Sequence, residues 1–192
     1  MGEKILMTDD RKFLFLLGSS RTGGNTETLT REAARPVDAS QRWLRLSDLP
    51  LPRFQDARHD GRRYLTPAGN EQELLDATLE ATDIVISSPV YWYSVSSEVK
   101  LYLDYWSGWL YVPGVDFKAR MRGKTLWGVS VLAEGPEQAE PLVGTLRRSA
   151  EYLGMNWGGV LLGNGSRPDD VLKDSSALTA AKSFFAKEFA TV

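Results

Sequence analysis

Five short runs of strand-forming residues, at 13–17, 41–46, 83–88, 125–132 and 156–162, alternate with segments whose apolar residues recur at helical spacing. No other feature of the chain narrows its fold as far. The first and third runs are almost wholly apolar, as strands covered on both faces must be. Between the runs, Leu74, Leu75, Thr78 and Leu79 share one helical face. Asn70 and Glu73 precede them at the spacing of a capping box. Val95, Val99, Tyr102, Leu103 and Trp106 form a second stripe, and Leu142, Val143, Leu146, Ala150 and Leu153 a third, which Gly154 closes as a C-cap. Leu178, Ala181, Phe184, Phe185 and Phe189 continue the pattern to the end of the chain. Alternation of this kind predicts an α/β fold with a parallel sheet, right-handed crossovers and helices on both faces. One domain over residues 1–192 is expected, with residues 1–11 as a flexible N-terminal extension.

Composition removes whole classes of function. A formal net charge of -2 leaves no basic surplus to neutralise nucleic-acid phosphates. With no cysteine, disulfides, thiolate nucleophiles and cysteine-held clusters are excluded. No apolar stretch is long enough to span a membrane, and the first ten residues are too polar for a signal peptide, so a cytoplasmic protein is expected.

The first run breaks into Gly18-Ser19-Ser20-Arg21-Thr22-Gly23-Gly24-Asn25-Thr26. A helix starting near Asn25 leaves its first N–H groups unpaired, with the positive end of its dipole beside them. The glycines let backbone curl round an anion, Ser19, Ser20, Thr22 and Thr26 add hydroxyls, and Arg21 adds a charged fork. The plainer alternative is a glycine-rich turn capped by Asn25. Gly24 and Asn25 stand where a P-loop needs its Lys and Ser/Thr, which disfavours nucleotide hydrolysis. The G-x-G-x-x-G fingerprint is absent too, and a terminal monophosphate fits best.

The third run ends in Ser87-Ser88-Pro89-Val90-Tyr91-Trp92-Tyr93-Ser94. A short turn cannot bury three adjacent rings on one face, so some of them border a cleft. In strand order 2-1-3-4-5 the loops after strands 1 and 3 flank the switch point where ligands bind. A phosphate at one end and a flat ring at the other describe FMN.

Over essentially its whole length the chain resembles the flavodoxin-like family of NAD(P)H-dependent FMN and quinone reductases. The two loops carry the likeness, extended by Glu27 and by Val95-Ser96, with weaker echoes at 46–52 and 100–104. The resemblance implies a five-stranded doubly wound sheet of order 2-1-3-4-5. It implies that Ser19, Arg21, Asn25 and Thr26 hold the FMN phosphate, and that Pro89, Val90, Tyr91 and Trp92 border the isoalloxazine. Ala133-Glu134-Gly135-Pro136 corresponds to a third flavin-side loop, which brings in Glu134 and Gly135. No side chain is assigned a catalytic role and no metal is implied. NADPH or NADH would reduce the flavin, which would pass hydride to a quinone or another small acceptor by a ping-pong cycle. The partners implied are small molecules, with no nucleic acid or membrane, in a homodimer or homotetramer. The alternative is an electron carrier of flavodoxin type that turns over no substrate of its own.

Three segments stay open in sequence. Residues 47–68, rich in Pro, Arg and Asp and holding the one histidine, His59, read as a solvated loop or as a lid or subunit contact. Gly163-Asn164-Gly165-Ser166 reads as a second anion loop or as a turn leading to a cap at Asp169 or Asp170. Trp106, Trp109, Tyr111 and Val112 read as core or as a dimer interface.

Overall fold

In the computed structural model, which describes residues 11–59, 63–187 and 189, the strands are β1 (Lys12–Leu17), β2 (Ser40–Arg45), β3 (Asp83–Ser87), β4 (Thr125–Leu132) and β5 (Asn156–Asn164). The helices are α1 (Asn25–Ala34), α2 (Asn70–Glu80), α3 (Ser97–Trp109), α4 (Phe117–Met121), α5 (Glu140–Leu153) and α6 (Ser175–Ala181). All strand neighbours are parallel and the order is β2-β1-β3-β4-β5, as expected.

Period-2 alternation explains the two layers. Leu14, Leu16, Ile84, Ile86 and Leu126 face one way and form a core with α2, α3, α4 and α5. Phe13, Phe15, Val85, Trp127, Val129 and Val131 face the other way, towards α1 and α6. Covered on both sides, β1, β3 and β4 are buried almost throughout, and this is why they are apolar.

Several local expectations change. Leu46 opens a 3-10 turn rather than ending β2. α2 starts after Gly69 at φ 58°, and the Asn70 side chain donates to the Pro50 carbonyl at 3.0 Å, so no capping box forms. The last stripe is not one helix: α6 ends at Ala181, and Phe184–Ala186 form a separate 3-10 turn that still buries Phe185. α4, five residues long, is too short for periodicity to reveal. Gly154 does close α5 in the left-handed conformation, at φ 68°.

Residues 1–10 of the expected extension lie outside the described residues, but Arg11 is firmly held. Its Nε donates to Asp83 Oδ2 at 3.1 Å and its guanidinium lies 4.5 Å from the Phe13 ring centroid. Residues 47–68 are not simply solvated either. Phe54 and Tyr64 pack on α3 at Gly108, where an added Cβ would lie 3.2 Å from both rings. His59 is exposed. Trp106, Trp109 and Val112 are core, while Tyr111 is exposed. Among the described residues no helix is long and apolar enough to cross a membrane.

Trp127 sets the irregularity between β4 and β5. The register skips Gly158, because the buried indole lies where its Cβ would be: a methyl there would sit 2.2 Å from Trp127 Cε3. The same indole donates to Asp83 at 2.9 Å, so it cannot easily turn away. Gly158→Ala is expected to cost about 1–3 kcal/mol in urea unfolding, the usual penalty for overfilling a packed site.

Candidate functional site

Gly18 joins the two loops named from sequence. Its N–H donates to the Ser87 carbonyl at 2.8 Å, and an added Cβ would fall 2.2 Å from Val99 Cγ2 in α3. Glycine at this point lets the start of α3 lie against the end of β1. The loop after β3 is then fixed by three buried serines. Ser130 Oγ donates to the Ser88 carbonyl at 2.6 Å, Ser88 Oγ accepts from the Ser96 N–H at 2.9 Å, and Ser96 Oγ caps α3.

The loop after β1 is shaped by Glu27, in the first turn of α1 and 4% exposed. Its carboxylate accepts from the Gly23 N–H at 2.9 Å, from Arg31 at 2.7 Å and from Arg45 at 2.6 Å. Arg45 also donates to the Arg21 carbonyl at 3.3 Å, so β2 braces the loop. Burial would raise the Glu27 pKa. The hydrogen bonds from Arg45, the Gly23 N–H and Arg31 outweigh it and hold the carboxyl at about 2. The charge beside the loop is therefore already matched and does not repel an incoming anion.

These constraints leave a cleft of about 220 Å³ between the loops. Ser19, Arg21, Gly24, Asn25 and Thr26 line one side, Pro89, Val90 and Tyr91 another, and no acidic side chain contributes. Among the described residues, the N–H groups of Ser20, Thr22, Gly24, Asn25 and Thr26 have no partner, and neither has the Arg21 guanidinium. Free amides at a helix N-terminus beside a free guanidinium suit an anion. Gly23, at φ 66°, takes the left-handed turn that aims them.

Seven of the ten residues named from sequence thus meet in one cleft: Ser19, Arg21, Asn25, Thr26, Pro89, Val90 and Tyr91. Three do not. Trp92 is 92% exposed and stands beyond the cleft wall. Glu134 lines a separate depression beside Asn164 and Asp174, and Gly135 does not line the cleft. The contribution of Asn25 also differs from expectation. Its side chain donates to the Arg167 carbonyl at 2.8 Å and accepts from the Val171 N–H at 3.4 Å, which leaves only its backbone amide free; Gly24 is the N-cap. Of the amides after β3, that of Tyr91 is spent on Ser94, while that of Val90 is free.

Asn25 draws in the loop after β5, so Gly165 and Ser166 line the cleft as well. That segment is neither purely a turn nor a clean cap: Asp169 and Asp170 serve the 3-10 turn Asp170–Lys173, where Asp170 accepts from the Arg167 N–H at 2.8 Å. Ala133 completes the rim, and Asn164 ties it by donating to the Ala133 carbonyl at 3.2 Å. Sequence reasoning counted Glu27 in the likeness but gave it no role, although Gly24-Asn25-Thr26-Glu27 has the spacing at which a carboxylate reaches back to loop amides.

The family model of NADPH-dependent FMN reductases matches residues 11–157. The chain belongs to that family. A Bacillus subtilis protein, YwqN, whose name describes it provisionally as an NAD(P)H-dependent FMN-containing oxidoreductase, is 30% identical over 172 residues, 88% of this chain and 94% of its own. The solved structure of a Trp repressor binding protein from Bacillus subtilis superposes with a TM-score of 0.73 at 28% identity, covering 91% of this chain and 97% of that one. A WrbA-like flavodoxin from Agrobacterium tumefaciens, 18% identical, superposes at 0.57 over 89% and 90% of the two chains and shares the flavodoxin-like fold. As a member of that family the chain is an oxidoreductase, and the family pairs FMN with NAD(P)H.

Proposed function

We propose that the protein is an FMN-dependent oxidoreductase that takes hydride from NADPH or NADH and passes it to a quinone or similar small acceptor in a ping-pong cycle. The observation that carries this reading is the set of unpartnered donors at the start of α1, facing an apolar wall across one cleft.

Bound FMN would supply the hydride chemistry through its N5. The chain's own part is to bind and orient. The amides of Gly24, Asn25 and Thr26, the hydroxyls of Ser19 and Thr26, and Arg21 would hold the phosphate. Pro89, Val90 and Tyr91 would border the ring, with the free Val90 amide available to a ring heteroatom. Glu27 and Arg45 keep the loop amides aimed, and Ser88, Ser96 and Ser130 hold the opposite wall. Donor and acceptor would use the same opening in turn, which makes ping-pong the natural order. A homodimer or homotetramer remains part of this reading, favoured by exposed Tyr111.

Titration of the purified protein with FMN, followed by anaerobic NADPH, tests it. We expect saturable binding with micromolar affinity or better, bleaching of the flavin absorbance on reduction, and recovery when a quinone is added. Bleaching with recovery only through a redox protein would instead favour an electron carrier. No FMN binding would remove the reading.

A further inference from the structure

β5 is an edge strand, paired on one side only, to β4. A bare edge offers free N–H and C=O groups to any other chain, and most edges carry charges or proline that discourage pairing. The opposite edge, β2, does so: Arg42 reaches Glu73 at 3.3 Å and Arg45 reaches Glu27 at 2.6 Å. β5 reads Asn156-Trp157-Gly158-Gly159-Val160-Leu161-Leu162-Gly163-Asn164, without a charged residue or a proline. Trp157, Val160 and Leu162 are left half-buried. The irregularity at Gly158 does not blunt the remainder, since Gly159 to Asn164 keep unbroken register with Trp127 to Leu132. Among the described residues, Trp157 to Gly163 make no backbone hydrogen bond outside that ladder.

A groove of about 380 Å³ runs beside the strand, with Pro136 on one flank and Ala177 and Ala180 of α6 on the other. All of Val160 to Asn164 line it. Successive side chains of a strand point to opposite faces, so consecutive residues share a groove only where it follows the open edge.

Charge decides which partner fits. Before the start of β5, exposed Arg122 lies against Gly154, its Cγ 3.6 Å from where a Cβ would be. Among the described residues its guanidinium has no partner, whereas Lys124 donates to the Leu79 carbonyl at 2.9 Å. At the other end of the strand Glu134 and Asp174 line the groove with Asn164. The Glu134 carboxylate has no partner among the described residues, and Lys173, next in sequence to Asp174, is paired with Asp170 at 2.8 Å. A strand that is uncharged along its length, basic before its start and acidic at its end is complementary to an antiparallel copy of itself. A two-fold axis through its middle brings each Arg122 to the acidic end of the other copy, so the contact is made twice. A parallel copy would set like charges together.

We infer that β5 is a self-association edge, at which a second copy of the chain adds its own β5 antiparallel and joins two five-stranded sheets into one. Arg122 of each copy then faces Glu134 of the other, and Trp157, Val160 and Leu162 lose their remaining exposure. None of the groove residues belongs to the patch around Tyr111, which stacks on Tyr64 at 6.0 Å, so a homotetramer would have two different faces to use. The inference rests on the oligomeric part of the proposed function and not on its redox chemistry.

Sedimentation velocity of the FMN-loaded protein across the micromolar range tests it. Arg122→Glu and Glu134→Arg, both on the surface, should each weaken self-association by about tenfold, and the double variant should return to within about threefold of wild type. Leu162→Lys, which supplies the charge that other edges carry, should abolish this pairing. Because the chain has no cysteine, Val160→Cys and Leu162→Cys each give a single thiol near the expected axis. At least one of them should form an intermolecular disulfide with itself under mild oxidation, and Gln41→Cys on β2 should not. A wild type that stays monomeric throughout would overturn this inference together with the oligomeric reading. Self-association unchanged in every variant, with neither β5 cysteine crosslinking, would overturn this edge alone. Two weakened single variants whose combination restores nothing would overturn the antiparallel arrangement.

Discussion

Glu27→Gln is expected to lose about 3 kcal/mol of folding stability at pH 7, a fall in Tm of roughly 6–12 °C for a chain of this size. The buried carboxylate answers two arginines and a loop amide at once. An amide of the same shape keeps the volume but strands the Arg45 charge, whose side chain is only 14% exposed. The pH dependence has a definite sign. Folding lowers the Glu27 pKa from 4.5 to about 2, so its stabilisation is fully present above pH 4.5 and is lost as pH falls through about 2. The gap between wild type and Glu27→Gln in urea unfolding should therefore be constant near neutrality and narrow between pH 4.5 and 2. A gap that does not change with pH would show that the carboxylate charge is not what braces the loop. FMN affinity should fall with stability, because the Gly23 amide and the Arg21 carbonyl are both held through this pair.

Gly24→Asp should move stability and binding in opposite directions. Gly24 is the N-cap of α1 at φ -74°, and an added Cβ would meet only ordinary contacts, 3.5 Å to Arg21 Cβ and 3.8 Å to Ser19 Oγ. Aspartate is among the best N-caps, so the fold should gain about 0.5–1 kcal/mol. The same carboxylate would sit on the amides assigned to the phosphate. FMN binding should weaken by at least 100-fold, about 3 kcal/mol, through repulsion and lost donors. Gly24→Ala, which adds bulk without charge, should stay within a few-fold of wild type. Calorimetric titration with FMN distinguishes these outcomes. Equal affinity of Gly24→Asp and wild type would place the phosphate elsewhere.

Much of the architecture was readable because burial on two sides imposes continuous apolar runs. Phe13 to Leu17 and Ile84 to Ile86 announce central strands, and the helical stripes announce what covers them. Boundaries failed where chain ends are set by neighbours. Gly69 and Pro50 decide how α2 begins, and the aromatic stripe past Ala181 breaks because Phe185 is buried without a continuous helix.

The site divides the same way. Ser19, Arg21, Thr26 and Pro89 to Tyr91 follow directly on strand ends, and a parallel sheet of this order must bring those ends together. Local sequence therefore suffices to place them at one cleft. Long-range hydrogen bonds decide the rest: Asn25 spends its side chain on the loop after β5, Arg45 crosses from β2 to secure Glu27, and Gly165 and Ser166 enter the cleft as a result. The facing of Trp92 depends on two backbone angles that no periodicity encodes. Strand and helix patterns report which surfaces must be buried, a property each segment carries within itself. Which polar groups are already paired, and which remain free for a ligand, is a property of the closed fold, because partners at the cleft such as Asn25 and Val171 lie 146 residues apart in the chain.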